Sequence, residues 1–198
     1  THRAIEKHLV SQEPLNYEKL LNSREEILKP LRVVRESLEK NNNQNIASGD
    51  LLDLMRRAKC FGINLARLDI RQESLRHNQL IYELVKRKYK KNYYKFSEKE
   101  KIQFLKSLIF KKKNIIKNFN FKNEENNEVW STFKILADEP SECLGAYVIS
   151  MTTSESDILS VLFLQKEAKI KHKLRVVPLF ETLDDLVSAN QIMKNLFS

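Results

Sequence analysis

The residue types best suited to chemistry sit in two short runs. In Phe61-Gly-Ile-Asn-Leu-Ala-Arg-Leu-Asp-Ile-Arg-Gln-Glu-Ser74, the guanidinium groups of Arg67 and Arg71 flank the carboxylate of Asp69 and lead into a polar turn. Strict alternation over Leu65 to Arg71 places Arg67, Asp69 and Arg71 on one face of an extended segment and Ala66, Leu68 and Ile70 on the other. A strand covered by helices is ordinarily apolar on both faces. Charges there must either neutralise one another or face a charged ligand. The second run, Leu174-Arg-Val-Val-Pro-Leu-Phe-Glu181, is apolar through Phe180, then meets the carboxylate of Glu181 and the helix-starting series Thr182-Leu-Asp-Asp185. A carboxylate at a strand end can ligate a hard cation or cap the following helix.

These side chains need elements to hold them. Between the two runs lies Ala146-Tyr-Val-Ile-Ser-Met151, a third buried-strand candidate, in which Tyr147 and Met151 read as core, followed by the helix start Thr152-Thr-Ser-Glu-Ser-Asp157. The order strand, helix, strand, helix, strand, helix predicts parallel strands joined by helical crossovers, with function at their carboxyl ends. Arg71 and Glu181 both fall at such ends. Asp50 opens a helix with Leu51, Leu54, Met55 and Ala58 along one face. Ser97 with Glu100 and Thr182 with Asp185 match the capping-box pattern. Pro14 to Lys40 reads as a charged amphipathic region interrupted at Pro30, and Asn123 to Asn127 as a polar loop before a helix over Glu128 to Ala137. Gln72, Glu73 and Ser74 read as caps of the helix that follows, with orientation of Arg71 as the other role, and His77 reads as a structural histidine.

Several segments together resemble the phosphoenolpyruvate carboxylase family. They are Ala47-Ser-Gly-Asp-Leu-Leu-Asp-Leu-Met-Arg-Arg57, Phe61 to His77, Glu139-Pro140 with Gly145-Ala-Tyr-Val-Ile-Ser-Met151, and Val177-Pro-Leu-Phe-Glu-Thr-Leu-Asp-Asp-Leu186. No piece is a general motif, but their order is specific. The resemblance implies an α/β fold in which these are consecutive strands and helices of a parallel (β/α)8 TIM-type barrel within a mostly α-helical protein. Residues 1–60 would be a helical lead-in and 61–198 three βα units of a partial barrel domain. It further implies a lyase that joins phosphoenolpyruvate and bicarbonate on Mg2+ or Mn2+, giving oxaloacetate and phosphate through carboxyphosphate and an enolate, to replenish the citric acid cycle. By the same resemblance Arg71 binds the substrate phosphate and Glu181 is one of two metal carboxylates. Arg67 and Asp69 would support the site, Asp69 fixing a guanidinium, without touching substrate.

The resemblance also has gaps. The family's Thr-Ala-His-Pro-Thr, Gly-Tyr-Ser-Asp-Ser and Gly-Arg-Gly-Gly segments do not occur in these residues, so the histidine base, the second metal Asp and further phosphate arginines would come from elsewhere. The expectation is a piece of a longer cytoplasmic, homotetrameric enzyme, inactive by itself. Where the family has a Lys-Arg-Pro-Leu-like segment, this chain has Lys112-Lys-Asn-Ile115, and Lys113 keeps the charge without the guanidinium fork.

Composition permits a rival function. A net charge of +9 over 198 residues, concentrated around Lys86 to Lys95 and Lys111 to Lys122 with interleaved aromatics, fits a basic non-enzymatic nucleic-acid-binding module. Against it, Asn, Lys and Ile are enriched throughout, as coding bias towards A and T would produce, and the expectation is no nucleic acid and no membrane partner. Two cysteines, Cys60 and Cys143, lack metal-ligand spacing and read as reduced thiols. Three glycines and four prolines point to long helices and few tight turns.

Overall fold

The computed structural model describes residues 23–64, 66–116 and 119–197. The chain divides into two compact units, one running to Arg67 and the other from Leu68.

In the first unit, α1 (Arg24–Lys40), the short α2 (Gln44–Ala47) and α3 (Asp50–Phe61) form a helical group. Ser23 caps α1 by accepting from the Glu26 amide, and the helix runs straight through Pro30. The expected interruption does not occur. Proline removes one amide donor and crowds one carbonyl; Arg32 pairs with Glu25 at 2.7 and 3.1 Å across the turns that hold it. The part of the amphipathic region before Ser23 lies outside the described residues. Within α3 only Ala58 is buried, and Leu54 on the same stripe is half-exposed.

The second unit holds a three-stranded parallel sheet in the order β1 (Leu68–Glu73), β2 (Leu144–Ser150), β3 (Arg175–Pro178). Between β1 and β2 come α4 (Ser74–Tyr89), α5 (Glu98–Ile109) and α6 (Glu124–Asp138); α7 (Glu155–Glu167) follows β2 and α8 (Leu183–Leu196) follows β3. The fold is therefore α/β, mostly helical with a small parallel sheet. Parallel pairing forces each connection to cross back over the sheet, which brings all three carboxyl ends to one edge. Helix α6 starts four residues earlier than the sequence suggests, because the Asn123 side chain caps it by accepting from the Glu125 amide.

The register fixes the two faces of the sheet. Ile70, Tyr147 and Val176 align in one row, and Arg71, Val148 and Val177 in the next; neighbouring rows point to opposite faces. The Tyr147 row meets the helices, where its ring stacks on Phe133 of α6 and its hydroxyl lies 2.8 Å from Nε2 of His77 on α4. The Arg71 row faces away from them.

Helix α7 is buried almost all round, which explains its mixture of Ile158, Leu159, Val161, Phe163 and Leu164 with buried polar groups. Each polar group has work. Asp157 completes a capping box with Ser154 and also accepts from Asn78 Nδ2 at 2.8 Å. Gln165 exchanges two hydrogen bonds with the Leu174 backbone, registering the approach to β3. Glu167 accepts from the Ile116 amide and from Lys166 Nζ, both at 2.7 Å, anchoring the loop that follows α5.

His77 is fully buried, and desolvation lowers its pKa from 6.5 to about 3. The unfolded chain takes up that proton near pH 6.5, so between these values the unfolded state binds more protons and stability falls as pH falls. Taken to about pH 5, this one group should cost about 2 kcal/mol. In urea titrations at pH 7.5 and pH 5, His77→Phe should lose less stability on acidification than the native protein by about that amount; equal losses would show that His77 does not govern the response.

Candidate functional site at the carboxyl edge of the sheet

Strand β1 begins at Leu68, not Leu65, and its register shifts between Leu68 and Ile70. The extra residue lies in β2, where Gly145 and Ala146 together stand opposite Asp69. Of the expected alternating set, Asp69 and Arg71 fall within β1 and Arg67 precedes it. Leu65 lies outside the described residues, and Arg67 is an exposed residue at the end of the first unit.

Among the described residues Asp69 pairs with no guanidinium. Its Oδ1 accepts from the Ala146 amide at 2.7 Å, replacing the ladder bond that the bulge would otherwise forfeit. Gly145 makes room for this, since a Cβ there would collide with the same carboxylate oxygen. Arg71 remains exposed on the helix-free face, paired in register with Val148, and among the described residues it enters no ion pair.

Glu181 lies just past β3 and is exposed. The following helix does not use it as a cap. Thr182 accepts from the Asp185 amide and Asp185 accepts from the Thr182 amide, closing the capping box and holding the Asp185 carboxyl below its ordinary pKa. Glu181 instead turns to the neighbouring strand, where Oε2 accepts from the Met151 amide at 2.9 Å.

Met151 is the pivot of this edge. It falls one residue after β2 in a left-handed conformation, φ 53°, and is 47% exposed, so it does not take the expected place in a core between helices. A non-glycine residue in that region costs roughly 1–2 kcal/mol. The surrounding bonds maintain it: Ser74 Oγ donates to the Met151 carbonyl at 2.6 Å, and the Thr152 amide donates to the Leu179 carbonyl at 3.3 Å. Ser74 thus reaches across from the end of β1, and no side-chain cap bond starts α4. Gln72 Oε1 accepts from the neighbouring Glu73 amide and likewise caps nothing beyond it.

Among the described residues, Arg71 at this edge enters no ion pair and the Glu181 carboxylate has a single amide bond. They sit on strands two apart, roughly 10 Å across the sheet at ordinary strand spacing. That arrangement suits an anion at one end and a cation at the other. The described residues contain no group of three or more His, Cys, Asp or Glu side chains placed to hold a metal, so here Glu181 stands as a single ligand candidate. The link through Ser74 and Met151 has no sequence signature, because serine before a helix reads as a cap.

Comparison with known proteins decides the lineage. The family model for phosphoenolpyruvate carboxylase matches residues 1–198. The chain belongs to the phosphoenolpyruvate carboxylase family. It is 43% identical over 186 residues to phosphoenolpyruvate carboxylase of Acinetobacter baumannii, an alignment covering 90% of this chain and 21% of that protein. It is 40% identical over 194 residues to the Photorhabdus laumondii enzyme, covering 98% and 22%, and 44% identical over 174 residues to the C4 phosphoenolpyruvate carboxylase of Flaveria trinervia, covering 88% and 18%. The chain spans about a fifth of the length of these phosphoenolpyruvate carboxylases.

The nucleic-acid reading gains no support. Within the first basic cluster, Lys88 Nζ donates to the Ile115 carbonyl at 2.7 Å and Arg87 pairs with Glu83 at 2.8 Å. Among the described residues no helix is long and apolar enough to cross a membrane. Cys60 and Cys143 form no disulfide.

Replacing Asp69 separates its charge from its hydrogen bond. Asp69→Ala should destabilise the fold by about 1–3 kcal/mol, the cost of an unpaired amide, whereas Asp69→Asn retains an acceptor and should cost less than half as much. Urea midpoints for the two variants check this; equal losses would place the importance of Asp69 in its charge.

Proposed function

We propose that this chain serves within a phosphoenolpyruvate carboxylase, forming oxaloacetate and phosphate from phosphoenolpyruvate and bicarbonate. One observation carries the reading: the family match runs through the whole chain and includes Arg71 and Glu181, which the fold brings to the same edge of one sheet. The three strands would be consecutive strands of a parallel eight-stranded barrel set in a largely helical protein. At the carboxyl edge of such a barrel, polar side chains are placed for catalysis. A homotetramer in the cytoplasm, supplying a four-carbon acid to the citric acid cycle, completes the proposal.

Arg71 would grip the substrate phosphate. Its planar fork suits the two oxygens of a phosphate that must be held and then released to bicarbonate, and no neighbouring carboxylate among the described residues competes for it. Its position facing away from the helices would turn it into the lumen of a closed barrel.

Glu181 would hold a divalent Mg2+ or Mn2+. The fit rests on its donor chemistry: one oxygen is fixed by the Met151 amide, the other has no bond among the described residues, and hard cations take carboxylate oxygens. Bound there, the metal would supply charge stabilisation for the anionic oxygens of the substrates. The amide bond orients the carboxylate, while the capping box leaves it free of the helix. The second metal carboxylate, the histidine base and the remaining arginines would come from outside these residues.

In the complete carboxylase containing this chain, oxaloacetate formation should require bicarbonate and Mg2+. Arg71→Lys should lower kcat/KM for phosphoenolpyruvate roughly 10- to 100-fold, as expected for losing a charge-assisted hydrogen bond of about 1.5–3 kcal/mol, with thermal stability unchanged. Unchanged kinetics would remove Arg71 from the site, and a folded complete protein without carboxylation would remove the function.

A further inference from the structure

We infer that Ser74 and the left-handed Met151 are positioning residues for Glu181, setting the carboxylate for its cation. The inference rests on the reading of Glu181 as a metal carboxylate, and deepens it.

The two peptide groups flanking Met151 are pinned independently. The one before it gives its N–H to Glu181 Oε2, and the one after it is held at both ends, its carbonyl by Ser74 Oγ and its N–H by the Leu179 carbonyl. Fixing two successive peptide planes fixes the φ and ψ between them. The resulting φ of 53° is one that methionine does not favour. Without the Ser74 hydroxyl, one of the bonds holding the second plane is gone, and Met151 can relax towards ordinary backbone geometry. Its amide then turns away from Glu181.

The Ser74 bond is well placed for this. Ser74 is buried, its bond to Met151 is short, and it spans 77 residues of sequence to join the ends of β1 and β2. Glu181 extends the chain of contacts to the end of β3, so all three strand ends are tied together. Thr152, fully buried, reinforces the turn by donating its hydroxyl to the Ile149 carbonyl at 3.0 Å. Oriented ligands gain affinity from such supporting bonds, and losing one typically weakens metal binding 10- to 100-fold.

The test is Mn2+ binding to the complete carboxylase without substrate, read by electron paramagnetic resonance. Glu181→Gln is the control for the underlying reading. Ser74→Ala should raise the Mn2+ dissociation constant roughly tenfold, while KM for phosphoenolpyruvate at saturating metal stays within about twofold. Met151→Gly keeps both peptide groups and accepts a positive φ freely, so its affinity should match the native protein. If Glu181→Gln weakens Mn2+ binding and Ser74→Ala does not, the positioning role is wrong and the ligand assignment stands. If Glu181→Gln leaves binding unchanged, the ligand assignment fails and takes the positioning role with it. Should Ser74→Ala fail to fold, Met151→Val carries the same test, because a β-branched residue resists that φ; native-like affinity in this variant overturns the inference.

Discussion

Parallel pairing of the three strands is the constraint on which the rest depends. Parallel neighbours cannot be joined by a tight turn, so every connection in the second unit is helical and every strand finishes at the same edge. Arg71 and Glu181 are 110 residues apart by their numbers, yet this topology alone makes them neighbours. It also explains why the helices gather on the Tyr147 face and leave the Arg71 face clear of them. Packing against these helices takes one face of the strands and leaves Arg71 on the other.

That division sets different demands on buried polar groups. On the helix side, Asp157, Gln165 and Glu167 are each satisfied by backbone or side-chain donors, and His77 remains neutral beneath Tyr147. These bonds fix helices and loops against the sheet. At the carboxyl edge the bonds are fewer and more exposed, and they leave free the groups that a ligand would use. Arg71 pairs with no carboxylate among the described residues, and Glu181 keeps an oxygen available. In the proposed site for anionic substrates and a cation, such incompleteness would be functional, because any internal partner would compete with the ligand.

The sequence made the strands, their order and the capping boxes legible, since these depend on apolar runs and on side chains three residues apart. Ser97 with Glu100 and Thr182 with Asp185 close as the spacing predicts. Features set by neighbours distant in sequence were not legible. The bulge opposite Asp69 depends on the Ala146 amide and on the absence of a side chain at Gly145. Ser74 looked like a cap because its partner, the Met151 carbonyl, is brought near only by the sheet. Pro30 looked like a helix breaker because a local rule counts the lost bond at one residue and not the rest of a 17-residue helix. Arg71 and Glu181 could be singled out by type and position, but the family resemblance was needed to assign their roles.

The most direct measurement is a crystal structure of the complete carboxylase with Mn2+ and an unreactive phosphoenolpyruvate analogue. A Glu181 oxygen is expected in the metal's coordination shell at roughly 2.0–2.3 Å, with the Met151 amide still bonded to the other oxygen and Arg71 on the phosphate. A metal bound elsewhere, with Glu181 bonded only to Met151 and Arg71 turned away from the phosphate, would contradict these assignments.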